Sequence, residues 1–490
     1  MKSLHKSLLL ALVLTVLVTG LISCKTVQTQ DDEIPVTTAS DEALKLCLEG
    51  RDKLSNIEPA AAAKLFEQAI EKDPEFALAH LYRFQCNAGG RQTRLQYLEK
   101  AVSLAENVSE GEQLLIMFEK ARVDGEGQKR KETLDQLLNK FPNDKRVQYT
   151  AGNYYRNRMA DNTQALQHYN RAIELDDKFA PAYNLIGYTQ ISLGNYEEAE
   201  KAFKKYIEVN PESPNPYDSY ADFLLKMKRY DEAAEQFKMA YEKDNLYISG
   251  LAGVGDAYAL KGDHEMARSY FKQVYEKAPN INGKLNSLVL TAASYIHDGN
   301  SSNALETIKK YRDLAEENKL ESNIIQSYLN EGFIQTESGN PTAGLKSYQK
   351  AVELVNSPDA SEDTKNTFKV NSMLNLCYAT IMKGDLEKAE ADLAKCQQMV
   401  QERQVPNESQ LMHSVYALLE SKKGNYPTAL EHYGKSGADN PFDMYYKAMT
   451  YEKMGDADNA GKLHQQLQNW NVNTLTYALM QQHIKQVAKK

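Results

Sequence analysis

The chain is poor in the residues that mark several functional classes. Its 490 residues include 1 Trp and 5 Cys, and 58 Lys and Arg are outnumbered by 67 Asp and Glu, for a formal charge of −9. Because proteins that bind phosphate backbones carry basic patches, this balance disfavours nucleic acid and other polyanions as partners. A content of 42% hydrophobic and 26% charged residues is that of a folding chain rather than a disordered one.

The motifs of well-understood enzyme classes are missing as well. The sequence has no Gly-rich phosphate loop, no His-Glu-x-x-His, no Gly-x-Ser-x-Gly and no Cys-x-x-Cys, and its 9 His are scattered singly. We therefore predict no catalytic residue, no metal site and no cofactor. The alternative is an enzyme whose acids, His or Cys are brought together within residues 285–470.

One long hydrophobic run is present, at the N-terminus. Lys2 and Lys6 precede an uncharged stretch rich in Leu and Val from Ser7 to Ser23. This stretch is shorter than the roughly 20 residues that span a bilayer, so we predict a cleaved export signal over residues 1–23.

The end of this signal resembles the lipobox of bacterial lipoproteins, in the order Leu21, Ile22, Ser23, Cys24. The resemblance implies that Cys24 becomes the acylated first residue of the mature chain, with palmitate among its acyl groups. Ordinary secretory cleavage and an uncleaved anchor are the alternatives. Two or more acyl chains hold a protein on a membrane, so we expect a lipid-anchored protein of the bacterial envelope, on the outer membrane and facing the periplasm rather than the cell surface.

The residues after Cys24 have the composition of a spacer. Residues 25–40 are rich in Thr, Gln, Val and Asp and contain few large apolar side chains, which is typical of a flexible tether. The acidic triplet at residues 31–33 also resembles the surface-export signals of some lipoproteins, but a solvated spacer fits it better.

A repeat of 34 residues runs through the middle of the chain. It is shared by a series of small residues and by a series of aromatic residues four positions later: Ala165, Ala199, Ala233 and Ala267, and Tyr169, Phe203, Phe237 and Phe271. With Tyr183, Gly187 and Pro211, these positions resemble the tetratricopeptide repeat. The resemblance implies an all-α, right-handed α-solenoid in which small residues let paired helices approach closely.

The pattern continues less regularly on both sides, and we count about twelve helical hairpins and a C-terminal capping helix. The predicted organisation is a signal peptide at 1–23, a tether at 24–40, degenerate hairpins at 41–145, a regular array at 146–279, irregular hairpins at 285–470, and a capping helix with a tail at 471–490. The change of spacing near Asn280 to Gly283 is the predicted boundary. Cys377 and Cys396 fall on the two helices of one hairpin, where they are either small buried side chains or a disulfide.

Function is expected on the concave face, which the first helix of each hairpin lines. In the register of the repeats, this face carries Tyr154, Asn157, Arg158, Asn184, Tyr188, Asp218, Asp222 and Asp256. Such side chains can bind an extended peptide backbone or cationic groups. The positions at which some tetratricopeptide proteins hold a carboxylate with Lys, Asn and Arg carry mainly Asn, Asp, Ala or Ser here.

Two non-catalytic functions follow from these observations. The first is a membrane-anchored scaffold that binds envelope proteins or peptides in its groove. The second is capture of a glycan or another small molecule, because some outer-membrane glycan-capturing lipoproteins also build on such helices. A single Trp and short connections between helices favour the scaffold.

Overall fold

The computed structural model describes residues 25–27, 33–88, 90–403, 405–437 and 440–487. The chain divides into two compact units, one that ends at Val209 and one that begins at Asn210. The change of spacing at Asn280 to Gly283 does not mark this division, because the helices on its two sides pack against each other within the second unit.

The described residues of unit 1 form five helical hairpins preceded by two short strands. Its elements are β1 Lys25–Val27, β2 Val36–Thr38, α1 Asp41–Ser55, α2 Pro59–Lys72, α3 Ala77–Gln85, α4 Arg91–Leu104, α5 Glu110–Val123, α6 Gly127–Lys140, α7 Lys145–Tyr154, α8 Asn162–Leu175, α9 Ala180–Leu193 and α10 Tyr196–Val209. A 3-10 turn follows α4 at Ala105–Asn107, and a π-helical turn follows α7 at Tyr155–Met159.

Unit 2 consists of seven hairpins and a terminal helix. Its elements are α11 Asn215–Lys226, α12 Tyr230–Lys243, α13 Ile248–Lys261, α14 His264–Lys277, α15 Ile281–His297, α16 Ser301–Glu317, α17 Glu321–Glu337, α18 Pro341–Val355, α19 Glu362–Lys383, α20 Leu386–Arg403, α21 Pro406–Lys423, α22 Tyr426–Lys435, α23 Pro441–Met454, α24 Ala457–Gln468 and α25 Leu475–Val487. The odd-numbered helices α1 to α23 are the first helices of the hairpins. The predicted all-α fold of about twelve hairpins with a C-terminal helix is therefore confirmed.

Close packing inside several hairpins follows from one glycine and one aromatic residue. A Cβ atom added to Gly187 in α9 would lie 2.6 Å from the ring of Phe203 in α10, which is too close for real atoms. The same relation joins Gly255 in α13 to Phe271 in α14. Glycine at this position of the first helix therefore lets the ring of the second helix fill the space between them, and both rings are fully buried.

The turns between helices also follow the sequence. Gly194, after α9, has a φ of 80°, a conformation that glycine adopts without steric cost. Its amide donates to the carbonyl of Ile191, and the next amide donates to Gln190, which is the usual end of a helix closed by glycine.

The two strands differ from the prediction, which had no strand. β1 pairs with β2 in antiparallel orientation, with Lys25 opposite Thr38 and Val27 opposite Val36. The side chains of β2 are buried. The flexible tether predicted for residues 24–40 is therefore wrong for residues 33–40, because β2 packs on unit 1 and leads directly into α1.

The terminal helix α25 has a wider role than that of a cover for the last hairpin. It packs against α15 and α23 as well as α24, and it buries Leu479 and Met480 in the core of unit 2. Apolar contact with several first helices therefore fixes this helix on the inner side of the unit.

Candidate functional site

The first helices of unit 1 surround a cavity of about 580 Å³. Helices α1, α3, α5 and α7 supply most of its lining, and the segment from Glu33 to Val36 forms part of one wall. Apolar side chains in the lining include Leu54, Leu78, Leu81, Leu115 and Val147. The cavity thus lies on the face that the repeat register predicts for function.

Three of the predicted groove residues of unit 1 line this cavity and two do not. Tyr154 ends α7 and is buried, and Asn157 and Arg158 follow it on the exposed π-helical turn. Asn184 and Tyr188 lie on α9, outside the lining. Tyr188 packs edge-on against Phe203 of α10, with ring centroids 5.2 Å apart. Part of its ring is therefore used in the packing of α9 against α10.

The segment before α1 lies extended across the first helices of unit 1, and side chains bind its backbone. The amide of Ile34 donates to Asp144 at 2.8 Å, and the amide of Thr37 donates to Glu112 at 3.0 Å. The hydroxyl of Ser109 donates to the carbonyl of Pro35 at 2.7 Å. These three partners stand at the starts of α5 and α7.

Side chains of the same segment also form polar contacts with unit 1 and are buried against it. Lys145 pairs with Glu33 at 2.9 Å, and the Thr38 hydroxyl donates to Asp73 at 2.6 Å. Ile34 and Val36 are 7% and 2% exposed. Unit 1 therefore already binds an extended stretch of peptide, which is part of its own chain.

The predicted acids of unit 2 lie on neighbouring first helices. Asp218 and Asp222 are on α11, and Asp256 is on α13. Burial, together with the nearby carboxylate of Asp222, raises the pKa of Asp218 to about 7. Burial likewise raises the pKa of Asp256 to about 7. Asp218 and Asp256 are half-buried, whereas Asp222 is exposed. The side-chain amide of Asn473 donates to Asp256 at 2.9 Å, so this carboxyl group already has a partner within the chain.

The C-terminal segment continues from Asn473 along the first helices of unit 2. Gln482 donates to the carbonyl of His297 at the end of α15, at 2.6 Å. His483 bonds to Glu337 at the end of α17, at 2.6 Å. The first-helix face of unit 2 is therefore covered in part by the chain's own C-terminal segment.

Glu337 is the centre of a buried polar cluster in unit 2. Its carboxylate is fully buried and accepts hydrogen bonds from Tyr378 and from Tyr446, the latter at 2.8 Å. The ring of Tyr445 stacks on His483 with centroids 5.3 Å apart. The cluster joins α17, α19, α23 and α25, so its hydrogen bonds stabilise the position of the terminal helix.

Cysteine and histidine residues are arranged more closely than their positions in the sequence indicate. Cys377 and Cys396 are buried free thiols, which agrees with the interpretation as small buried side chains. The rings of His264 and His297 stack with centroids 5.0 Å apart, so these two histidines are not the isolated ones that we expected. Burial lowers the pKa of His297 to about 3.

The described residues offer neither a metal cluster nor a helix that could cross a membrane. They contain no group of three or more His, Cys, Asp or Glu side chains placed to hold a metal ion. Among their helices, none combines the length and the apolar character needed to cross a membrane. Cys24, the predicted lipidation site, lies outside the described residues.

The arginines of the cavity are the residues that the sequence analysis missed. Of the six in its lining, Arg158 is the one that we had placed on the groove. Arg51 in α1 and Arg146 in α7 both stand on first helices. Arg51 lies in the degenerate repeats, where no groove residue was predicted, and Arg146 lies at the first position of the regular array. The net charge of the chain concealed this local excess of arginine.

Sequence comparison identifies the repeats. Residues 180–213 match one model of the tetratricopeptide repeat, and residues 47–92 and 221–280 match another. The prediction of tetratricopeptide repeats is thereby confirmed for these segments, and arrays of this repeat are typical of protein–protein interaction.

Similar proteins share only short stretches with this chain. A segment of 108 residues is 28% identical to Superkiller complex protein 3 of Mus musculus, covering 22% of this chain and 7% of that protein. A segment of 111 residues is 31% identical to Anaphase-promoting complex subunit 3 of Schizosaccharomyces pombe, covering 23% of this chain and 17% of that protein. The chain thus matches less than a fifth of the length of these relatives.

Solved structures of the same repeat show weak overall likeness. A tetratricopeptide repeat protein from Parabacteroides merdae is 18% identical, with a TM-score of 0.33 over 56% of this chain and 94% of that one. YrrB, described as a TPR protein with an unusual peptide-binding site, is 22% identical, with a TM-score of 0.29 over 38% of this chain and 94% of that one.

Proposed function

We propose that this chain of helical repeats is a lipid-anchored, non-catalytic scaffold that binds proteins or peptides of the bacterial envelope. Cys24 would carry the lipid, and the first helices would carry the binding face. The outer membrane, on its periplasmic side, is the proposed location. The anchor and the location rest on the lipobox-like sequence alone.

The observation that carries the binding proposal is the extended segment on unit 1. Acidic and hydroxyl side chains at the starts of α5 and α7 bind the backbone amides and carbonyl of residues 34–37. Backbone recognition of this kind does not depend on the side-chain sequence of the bound strand. The same first-helix face is therefore suited to an extended segment from another protein.

Capture and direct binding together test the scaffold. The wild-type chain, solubilised in detergent, is used to capture binding partners from envelopes of the cells that produce it. The double variant Asn157→Ala with Arg158→Glu is used in a parallel capture. Both positions are exposed, and both line the cavity. The control is Lys201→Ala, an exposed position on the second helix α10.

The captured protein is then purified and its affinity for the three chains is measured. We expect the groove variant to bind at least several-fold more weakly than the wild type and the control to bind unchanged. Equal affinity of all three chains, or a purified candidate that fails to bind, would contradict the proposal for this face.

Capture of a small molecule is the second candidate function, favoured by the cavity in unit 1. Its size is within the range of roughly 300–1,000 Å³ that small-molecule sites occupy. Glycan capture has less support, because Trp470 packs against the core of unit 2 and is not an exposed platform for a sugar ring. Titration of the purified chain with soluble envelope glycans tests this candidate, and the absence of binding would rule it out for those glycans.

A further inference from the structure

The cavity of unit 1 concentrates positive charge in an acidic chain. The formal charge of the whole chain is −9. The lining of the cavity nevertheless contains twice as many arginines as carboxylates. The carboxylates are Glu33, Glu119 and Asp144, and the arginines are Arg51, Arg94, Arg122, Arg130, Arg146 and Arg158.

The three carboxylates already have partners. Glu33 pairs with Lys145 at 2.9 Å, and Glu119 pairs with Arg122 at 2.7 Å. Asp144 accepts the backbone amides of Ile34 and Val147. Even with all three carboxylates counted at full charge, the six arginines leave the lining with an excess of positive charge.

Three arginines of the cavity have buried donor atoms that are not used. The Nε atoms of Arg51, Arg130 and Arg146 are buried and have no hydrogen-bond partner among the described residues. Arg146 reaches the carboxylate of Asp52 only through Nη2, at 3.5 Å. A buried donor without an acceptor is costly, so these atoms mark a place where an acceptor is missing.

Aromatic rings hold two of these guanidinium groups in place. Arg130 lies over Phe118 at 4.4 Å and over Tyr154 at 5.3 Å from the ring centroids, and Arg146 lies over Phe179 at 5.4 Å. Burial lowers the pKa of both arginines, and nearby arginine cations lower it further. An anion in the cavity would relieve this repulsion.

We propose that this cavity binds a small organic anion, whose carboxylate or phosphate groups pair with the buried arginines and whose apolar body lies against Leu78, Leu81 and Val147. Planar guanidinium groups bind both kinds of oxyanion through paired hydrogen bonds. The volume of about 580 Å³ suits one such molecule. This inference does not rest on the protein-binding function. It also departs from the expectation that anions are disfavoured, because the local charge of the cavity differs from the net charge of the chain.

Calorimetric titration of the full chain in detergent tests the site with three probes. Phenyl phosphate and phthalate carry the two kinds of acidic group on an aromatic ring, and benzyl alcohol is the neutral control. We expect the wild type to bind at least one anion, with an affinity that falls as salt is added. Binding of phenyl phosphate alone identifies a phosphate ligand, and stronger binding of phthalate identifies a carboxylate ligand.

Variants connect this binding to the cavity. Arg51→Gln with Arg146→Gln should lower the affinity roughly tenfold or more, because charged hydrogen bonds are lost. Arg171→Gln, at an exposed arginine of α8 paired with Glu174, removes a charge of the same sign from the same unit, and we expect it to bind as the wild type does.

Melting curves show whether each variant is folded. If the double variant melts at a lower temperature than the wild type, Arg130→Gln takes its place and should show the same loss. A wild type that binds neither anion, benzyl alcohol bound as tightly as the anions, or a folded cavity variant with unchanged affinity would each overturn the proposal.

Discussion

Single glycines decide how closely the helices of a hairpin approach, and two of them offer a matched pair in unit 2. At Gly255, an added Cβ would lie 2.3 Å from the ring of Phe271, whereas at Gly461 in α24 nothing lies within 4 Å. We expect Gly255→Ala to destabilise unit 2 by roughly 1–3 kcal/mol through overpacking. Gly461→Ala should stabilise its helix by roughly 0.5–1 kcal/mol, since alanine is the better helix former. Chemical denaturation measures both changes, and equal effects would disprove the packing argument.

Two buried carboxyl groups make the stability of unit 2 depend on pH. Asp218 and Asp256 have a pKa of about 7 in the folded chain, against an ordinary value of 3.8. Between these values the folded chain binds more protons than the unfolded chain. The contribution of these two groups to the free energy of unfolding is therefore greatest below about pH 4 and is lost as the pH rises through about 7.

The variant Asp256→Asn tests this pH dependence. We expect it to raise the melting temperature at about pH 8, by a stabilisation on the order of 1 kcal/mol, and to reduce the difference between about pH 5 and about pH 8. Asp458→Asn, at an exposed position of α24, is the control and should keep the wild-type pH profile. A profile that is unchanged in Asp256→Asn would show that this carboxyl does not titrate as described.

At the scale of elements, the position of residues 33–38 on unit 1 should depend on the burial of one apolar side chain. Ile34 is 7% exposed and packs in the core that includes Leu114 and Phe118. We expect Ile34→Asp to release the segment, because a carboxylate cannot enter this core without a large cost. Hydrogen exchange at the amide of Thr37 should then increase, while the exposed substitution Thr26→Asp should leave it slow. Unchanged protection in Ile34→Asp would mean that the backbone bonds suffice without the burial of Ile34.

The terminal helix α25 allows a similar test in unit 2. Met480 is fully buried, whereas Lys485 on the same helix is exposed. Met480→Asp should detach α25 and speed hydrogen exchange in α15, and it should lower stability by roughly 2–5 kcal/mol, the range of large core truncations. Lys485→Asp adds the same acid without entering the core and should change little. If both variants exchange alike, α25 is not held by its apolar face.

At the scale of the whole molecule, the repeat register accounts for most of what could be predicted. Positions such as Gly187 and Phe203 specify the hairpin locally, so their spacing alone indicates the fold. The register also places Tyr154, Asn157 and Arg158 beside the cavity. Contacts between distant parts of the chain were not predictable, because no local pattern pairs Asp144 with Ile34 or Asn473 with Asp256.

The proposed attachment of the whole chain to a membrane depends on one residue, Cys24. We expect Cys24→Ala to move the protein from the membrane fraction to the soluble fraction, because the acyl chains can no longer be attached. Thr26→Ala, at an exposed position that leaves the lipobox-like sequence intact, is the control and should leave the protein with the membranes. A Cys24→Ala chain that still sediments with membranes would contradict the lipid anchor.

If Cys24 carries the proposed lipid, the strand pair at the start of unit 1 sets the distance between that unit and the bilayer. Residues 25–40 as an extended spacer would reach roughly 50 Å from the lipid. Instead, β1 begins at Lys25, directly after the proposed acylated residue, and Lys25 lies opposite Thr38 at the entrance to α1. A lipid on Cys24 would therefore hold unit 1 against the headgroups. A partner of this unit would then have to be a membrane protein, or one that approaches the bilayer surface.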